Sequence, residues 1–311
     1  MNIYGLLHVD EAFLRRNPDS ATPLKIDLYL RNAVNLAHSA TASSLPFAVL
    51  SNAVAWLEAR LAAIGHGGGL TVLPLQVDRE VPADTPFRSA HHKLDVIHAF
   101  ASGQLGATVA LIDLDVVIRH AFSLQMPDRL CVYDIWDQVA PAYGAERIRA
   151  DLTALGAPHP SSAWFGGEFI AGPAAAFGLL AREIDDIWPQ YLSLLGLTHH
   201  TGDEMVVTAA LLRLAARGVP LHTVNGTGII ARWWSGRTLA PLPQLEAVLS
   251  ESMLNLPADK PFLARMAAAP FEDAVFIAAY RAYARRQRWL ALAKNVANRL
   301  RGRRWLHLPR P

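Results

Sequence analysis

The sequence predicts an α/β protein with a mostly parallel sheet, and three short apolar runs carry that prediction. FAVLS (47–51), LTVLPLQV (70–77) and ATVALIDLDVVI (107–118) each read as a buried strand. Helix-like stretches separate them, and strand–helix–strand–helix–strand is the order of a parallel sheet covered on both faces.

The elements follow in turn. After the first strand, AVAWLEARLAAI reads as a helix, ended by the GHGGG run at Gly65–Gly69. Pro82 and Pro86 bound a loop, and a helix is expected from about Phe87 to Ala101, with Leu94 and Ile97 on its apolar side and Gly103 and Gly106 after it. The strongest strand signal is 107–118, ending near Ile112. CVYDIWDQV (131–139) mixes aromatics with acids, and SSAWFGGEFIAG (161–172) follows. One helix is expected from Ala174 to about Ile187, cut by Pro189, and another from about Asp203 to Ala216, stopped by Gly218 and Pro220. Residues 225–245 read as loop with two adjacent tryptophans, Trp233 and Trp234, suited to stacking on a sugar or to filling core. From Phe271 to about Leu300 the pattern is helical and increasingly basic. No fixed-period repeat is visible.

A chain of 311 residues, 52% hydrophobic and 18% charged, buries a substantial core and is not a disordered polymer. Cys131 is its one cysteine, which excludes a disulfide framework or a cysteine zinc cluster and points to a reducing compartment. The start, MNIYGLLHVDEAFLRR, lacks the pattern of a signal peptide, and no apolar run is long enough to span a bilayer, so a cytoplasmic location is expected. The net charge of +2 hides an asymmetry. Residues 281–311 hold 10 basic and no acidic residues, leaving 19 basic against 27 acidic, a net −8, in residues 1–280. A basic end on an acidic body suits an anionic surface for the former and other work for the latter.

Ligands of parallel sheets bind beyond the carboxyl ends of the strands. Asp113 and Asp115 lie at such an edge if the strand ends near Ile112. In a continuing strand both would face one side, with Leu114 on the other; a break at Asp113 would splay them. Two carboxylates after so apolar a run are expensive to bury alone, and a hard divalent cation, magnesium or manganese, bridging them to a diphosphate would remove that cost. The plainer reading is a strand that surfaces, leaving the aspartates solvated or capping a helix. Asp-x-Asp-x-Val also looks like the nucleophile motif of haloacid-dehalogenase-like phosphatases, with Gly202-Asp203-Glu204 echoing a later acidic motif. Two features oppose this: at least two strands precede the motif, and Val207 stands where a second aspartate belongs.

Taken together, the motifs over roughly residues 45–265 resemble the bacterial glycogenin-like and lipopolysaccharide-galactosyltransferase-like branch of the nucleotide-diphospho-sugar transferases. The resemblance implies a GT-A-type fold, a nucleotide-sugar donor, a glycan or lipid-linked acceptor, and manganese or magnesium. FRSAHHKLDVI (87–97) before LIDLDVVI implies that Lys93 approaches the donor diphosphate, that Asp113 handles donor ribose or sugar, and that Asp113 and Asp115 hold the metal. Trp164-Phe165-Gly166-Gly167-Glu168-Phe169-Ile170-Ala171-Gly172 resembles the family's small-residue stretch, where Gly166 and Gly167 admit the sugars and Glu168 binds hydroxyls; a tight turn is the alternative. Asp203 and Glu204 match the acidic position near the anomeric carbon, as base or sugar-orienting group. The same residues read as an ordinary helix start, Thr201 capping with Glu204 three residues on, while His199 and His200 suit metal, sugar or a solvated loop. Asn255-Leu256-Pro257-Ala258-Asp259-Lys260-Pro261-Phe262 resembles the family's late segment, with Lys260 toward the diphosphate. Asn255 stands where the family places a metal-binding histidine: either it is a weak oxygen ligand, or the third protein ligand comes from elsewhere, or the aspartates and phosphates hold the metal, and a degenerate, non-catalytic scaffold for polysaccharide assembly is a further reading.

The expected organisation is a catalytic domain over 1–270 and a basic helical appendage over 271–311. Between Arg281 and Arg304, Trp289, Leu292, Val296 and Leu300 form one apolar stripe with most arginines elsewhere. Such a helix suits an anionic membrane leaflet, making the protein peripheral on the inner face; docking on the enzyme body or dimerisation are the alternatives. No motif supports nucleic-acid binding.

Overall fold

The computed structural model describes residues 1–15, 17–19, 22, 24–158, 161–300 and 307. Along the chain run β1 (Asn2–Leu6), α1 (Glu11–Leu14), α2 (Ile26–Ala42), β2 (Phe47–Ser51), α3 (Val54–Ala63), β3 (Val72–Pro74), α4 (Arg88–His91), α5 (Lys93–Ala101) and β4 (Thr108–Ile112). There follow β5 (Val116–Ile118), β6 (Leu130–Asp134), α6 (Trp136–Tyr143), α7 (Ala145–Ala154), β7 (Phe165–Pro173), α8 (Ala174–Ser193) and α9 (Asp203–Ala216). The chain ends with β8 (Leu221–Thr223), β9 (Ile230–Arg232), α10 (Leu245–Val248), β10 (Met253–Asn255), α11 (Lys260–Met266) and α12 (Asp273–Leu300). It forms two compact units, one of residues 1–21, 46–113 and 123–224, the other of residues 22–45, 114–122 and 225–311.

The first unit is built on a seven-stranded sheet of order β3-β2-β1-β4-β7-β6-β8. Every pairing is parallel except those of β7, which runs against β4 and β6. This is the predicted α/β architecture with a largely parallel sheet. Its strands are near-continuous apolar runs because both faces are covered: Val49, Leu50, Val109, Ala110 and Ile112 are fully buried. Helix α5 packs on α8, and α8 on α9. Because Ile112 pairs with Phe169, residues Phe165–Glu168 of β7 extend past the carboxyl end of β4.

Strand β4 ends at Ile112 as expected, the break falls at Asp113-Leu114-Asp115, and β4 and β5 enter different sheets. Three expectations need correction here. The 70–77 strand shrinks to three residues ending at Pro74, which has no N–H for a ladder. The helix expected from Phe87 is divided at His92 and starts one residue later, because Phe87 is left-handed, φ 55°. Pro189 does not stop α8, since Ile187 and Tyr191 on either side of it are buried and packing outweighs one missing hydrogen bond.

The second unit holds a three-stranded sheet, β5-β10-β9, with β5 antiparallel and β9 parallel to β10. Val117, Trp233, Leu254, Phe262, Phe276 and Tyr280 form its core. Trp233 is therefore packing, not a sugar platform, and Trp234 lies under the Arg232 guanidinium, 5.1 Å from its ring. Helix α12 begins inside this core through Phe276, Tyr280 and Ala284, spaced four apart. Further on its apolar stripe faces outward: Trp289, Val296 and Leu300 are 72%, 48% and 85% exposed. Of the basic stretch, residues 301–304 lie outside the described residues. Among the described residues no helix is long and apolar enough to cross a membrane.

Candidate functional site

In the first unit, the strand ends bring four of the predicted residues around one ammonium. Lys93, at the start of α5, places Nζ 2.6 Å from Asp113 Oδ1 and 3.6 Å from Asp203 Oδ2, and donates to the Gly167 carbonyl at 3.1 Å. Glu204 closes the group, accepting from the Gly167 N–H at 3.1 Å and the Trp164 indole N–H at 2.8 Å. Burial alone would lower the Lys93 pKa, but the charges of Asp113 and Asp203 outweigh it and hold the ammonium above the ordinary lysine range. Burial raises Asp203 to about 6, against the opposing pull of Lys93 and with the help of Glu204 and Asp113.

One lysine against three carboxylates leaves an acidic cluster, rich in acceptors for hydroxyl groups and unfavourable to a bare diphosphate. The cavity inside it, about 20 Å³, holds no sugar ring. The open side of the cluster is at Asp113, whose side chain is 30% exposed.

The two glycines leave space for neighbouring side chains and are not there for unusual dihedrals. Neither has a positive φ; both are extended residues of β7. A Cβ on Gly167 would collide with Lys93 Nζ, and one on Gly166 with the Glu168 carboxylate. The alternation of a strand thus puts Gly167 on the face of the cluster and Gly166 with Glu168 on the other. Glu168, 2% exposed, is not brought to Lys93; its carbonyl receives the Asp113 N–H at 3.4 Å. The capping box at α9 does not form either. Gly202 is the cap residue with no side-chain bond, and Glu204 turns instead to Trp164 and Gly167.

His199 is held by Asp151 at 2.6 Å, and burial lowers its pKa. His200 stays beside the acids: burial lowers its pKa while Glu204 and Asp203 oppose the shift. Sequence reasoning missed the supports. Asp134 accepts the backbone N–H groups of Trp136 (2.8 Å) and Trp164 (3.0 Å), and so fixes the tryptophan that holds Glu204. Tyr191 pairs its hydroxyl with His91 at 2.6 Å. An isolated aspartate after a strand and a tyrosine inside a helix carry no pattern that marks them beforehand.

Asp115, Asn255 and Lys260 meet in the second unit. Asn255 Nδ2 donates to Asp115 Oδ1 at 2.8 Å, and Lys260 Nζ is ion-paired with Asp115 Oδ2. Asn255 Oδ1 is buried with no hydrogen-bond partner. Helix α11, which carries Lys260, starts at Asp259, a buried carboxylate holding the hydroxyls of Ser235 and of Tyr280 (2.7 Å). Burial raises the Asp259 pKa and these hydroxyls oppose the rise.

Among the described residues no group of three or more His, Cys, Asp or Glu side chains is arranged to hold a metal ion. What the second unit offers is one carboxylate and one unsatisfied buried amide oxygen. That is the hard-oxygen chemistry of magnesium or manganese, which use one or two carboxylates and take further ligands from substrate phosphates. An ion there would compete with the Lys260 ammonium already paired with Asp115.

No family model and no curated protein matches this sequence. Among solved structures, the chain is similar to the galactosyltransferase LgtC in complex with donor and acceptor sugar analogues. The TM-score is 0.50 at 11% identity, covering 88% of this chain and 97% of that one. It is also similar to the WbbM bifunctional glycosyltransferase in its apo form, with TM-score 0.51 at 8% identity, covering 90% of this chain and 51% of that one. At these identities the likeness is one of fold: the α/β architecture is similar to that of these two glycosyltransferases.

Proposed function

We propose that the chain is a glycosyltransferase that moves a sugar, most simply a hexose, from a nucleoside-diphosphate donor to a glycan or lipid-linked acceptor. The observation that carries this reading is the gathering of Asp113, Asp203, Glu204 and Gly167 around Lys93 at the carboxyl edge of the sheet. Three carboxylates organised by one ammonium suit the hydroxyls of the donor sugar, and Lys93, already bonded on three sides, keeps them in register. Lys260, paired with Asp115, would supply positive charge for the departing diphosphate. A magnesium or manganese ion held by Asp115 and Asn255 would neutralise charge on the leaving group. Asp203, raised to about 6, is ionised at neutral pH. It activates the acceptor hydroxyl if the product anomer is inverted, and orients the sugar if it is retained.

A panel of UDP-, GDP- and TDP-sugars, with and without manganese, tests the reading by donor hydrolysis and transfer. Turnover of one donor, lost in Asp203→Asn, is the expected result. Release of phosphate from simple monoesters with no action on any nucleotide sugar would replace it with the phosphatase reading. Neither activity would replace it with the scaffold in polysaccharide assembly. The outward stripe of α12, with Arg285, Arg286 and Arg288 beside Trp289, supports placing the enzyme on an anionic inner leaflet, next to a lipid-linked acceptor.

A further inference from the structure

Phe87 stands out in the first unit on two independent counts. Among the described residues only Ser44 and Phe87 are non-glycines with positive φ. Ser44 is a small polar residue just past the end of α2, whereas a bulky aromatic in the left-handed region is an outlier that its surroundings must enforce. Enforcement is visible: the Phe87 carbonyl accepts the Ala90 N–H at 2.8 Å and faces His91 Nδ1 at 3.2 Å. Burial does not repay the strain, because the side chain is 69% exposed. The phenyl ring instead lies over His200, centroids 6.1 Å apart and planes within 21°.

His200 is the hub of an aromatic group that ends on the carboxylates. Trp164 meets it edge-on at 5.5 Å and donates to Glu204, and Tyr143, 44% exposed, meets it at 6.2 Å. Gly202, the residue before Asp203, leaves room for the imidazole; a Cβ there would come within 2.7 Å of His200 Nε2. The exposed part is thus the Phe87 ring and Tyr143, both against His200, with Asp203, 6% exposed, and Glu204 next along the chain. A protein partner needs several hundred Å² of contact, far more than two rings provide. A pyranose has one C–H face for an aromatic ring and hydroxyls on its rim for carboxylates and imidazole.

We propose that Phe87, backed by His200 and flanked by Tyr143, is a platform for a pyranose ring of the acceptor glycan, beside Asp203 and Glu204. The proposal rests on the transferase reading for the word acceptor; the ring-binding face stands on its own geometry. A loop residue held in a strained conformation to present an aromatic face explains why position 87 is phenylalanine rather than the glycine its backbone favours.

The test is saturation-transfer NMR on the full chain with the methyl β-glycosides of glucose and galactose and methyl α-mannoside, alongside calorimetry with UDP, GDP and TDP. At least one glycoside should bind through its axial C–H protons, with affinity about tenfold weaker in Phe87→Ala and restored in Phe87→Tyr. Phe87→Gly should lose binding while its thermal midpoint stays at or above that of the parent chain, which separates ligand loss from misfolding. Nucleotide binding without any glycoside, or a glycoside bound equally well by Phe87→Ala, overturns the platform and leaves the transferase reading standing. Phe87-dependent glycoside binding with no nucleotide binding keeps the platform and removes the transferase. A nucleobase, not a glycoside, contacting Phe87 overturns the platform as well.

Discussion

The two aspartates of Asp113-Leu114-Asp115 are two positions apart in sequence and end in opposite electrostatic company. Asp113 belongs to a cluster in which Lys93 serves three carboxylates, so negative charge is in excess. Asp115 is the single carboxylate in a group completed by the Lys260 ammonium and the Asn255 amide, with no negative charge left over. The first arrangement is rich in hydrogen-bond acceptors, and the second is balanced in charge. On the proposed transferase reading, the acidic group would serve the sugar and the balanced group the departing diphosphate.

Removing charge from the acidic group gives the largest expected effect. Asp203→Asn should lower transfer rates by about 10²- to 10⁴-fold, measured as kcat/KM for the donor that the panel identifies. The same change should stabilise the fold at neutral pH. Asp203 has its pKa raised from 3.8 to about 6, so the folded chain holds that proton more tightly than the unfolded one. Stability from this group is full below about 3.8 and is lost as pH rises through about 6. Thermal or urea melts should therefore show a gain of about 1 to 3 kcal/mol at pH 7.5 that disappears below pH 4. No gain at pH 7.5 would mean that Asp203 is not the strained member of its cluster.

In the balanced group, Lys260→Gln should weaken nucleoside-diphosphate binding by about tenfold to a hundredfold in calorimetry. It should also tighten manganese binding without nucleotide, because Asp115 loses its competing ammonium. Unchanged manganese affinity would break the assignment of Asp115 to the cation. One step further back, Tyr280→Phe takes a hydroxyl from buried Asp259 at the root of α11. A loss of about 1 to 3 kcal/mol in chemical denaturation is expected, with a smaller effect on turnover. The smallest change in the folded body should come from Trp289→Ala combined with Arg285, Arg286 and Arg288 to Gln. Its melting should match the parent while sedimentation with phosphatidylserine vesicles is lost; equal sedimentation would dismiss α12 as a membrane contact.

Much of the scaffold was legible because it is written in local periods. FAVLS, α9 and most of α12 were readable from apolar spacing and from glycine or proline stops. Local signals failed where tertiary packing outweighed them. Pro189 looked like a stop, and buried neighbours carried α8 through it. Thr201 and Glu204 looked like a capping box, and the Trp164 indole and Gly167 amide claimed Glu204. Gly166 and Gly167 looked like a turn, and the demand turned out to be room for a lysine head and a carboxylate across a strand. Phe87 gave no sign at all, since its backbone angle is imposed by the turn that follows it.

The sequence by itself determined the α/β class, the strand that ends at Ile112, and the acidic residues that wait at its carboxyl end, because these follow from burial of apolar runs and the cost of hiding charge. Only the tertiary structure decided which carboxylate shares which lysine. Lys93 and Asp203 are 110 positions apart, and Asp115 and Lys260 are separated by 145. Pairings over such distances depend on how strands and helices pack, and no local pattern of residues encodes them.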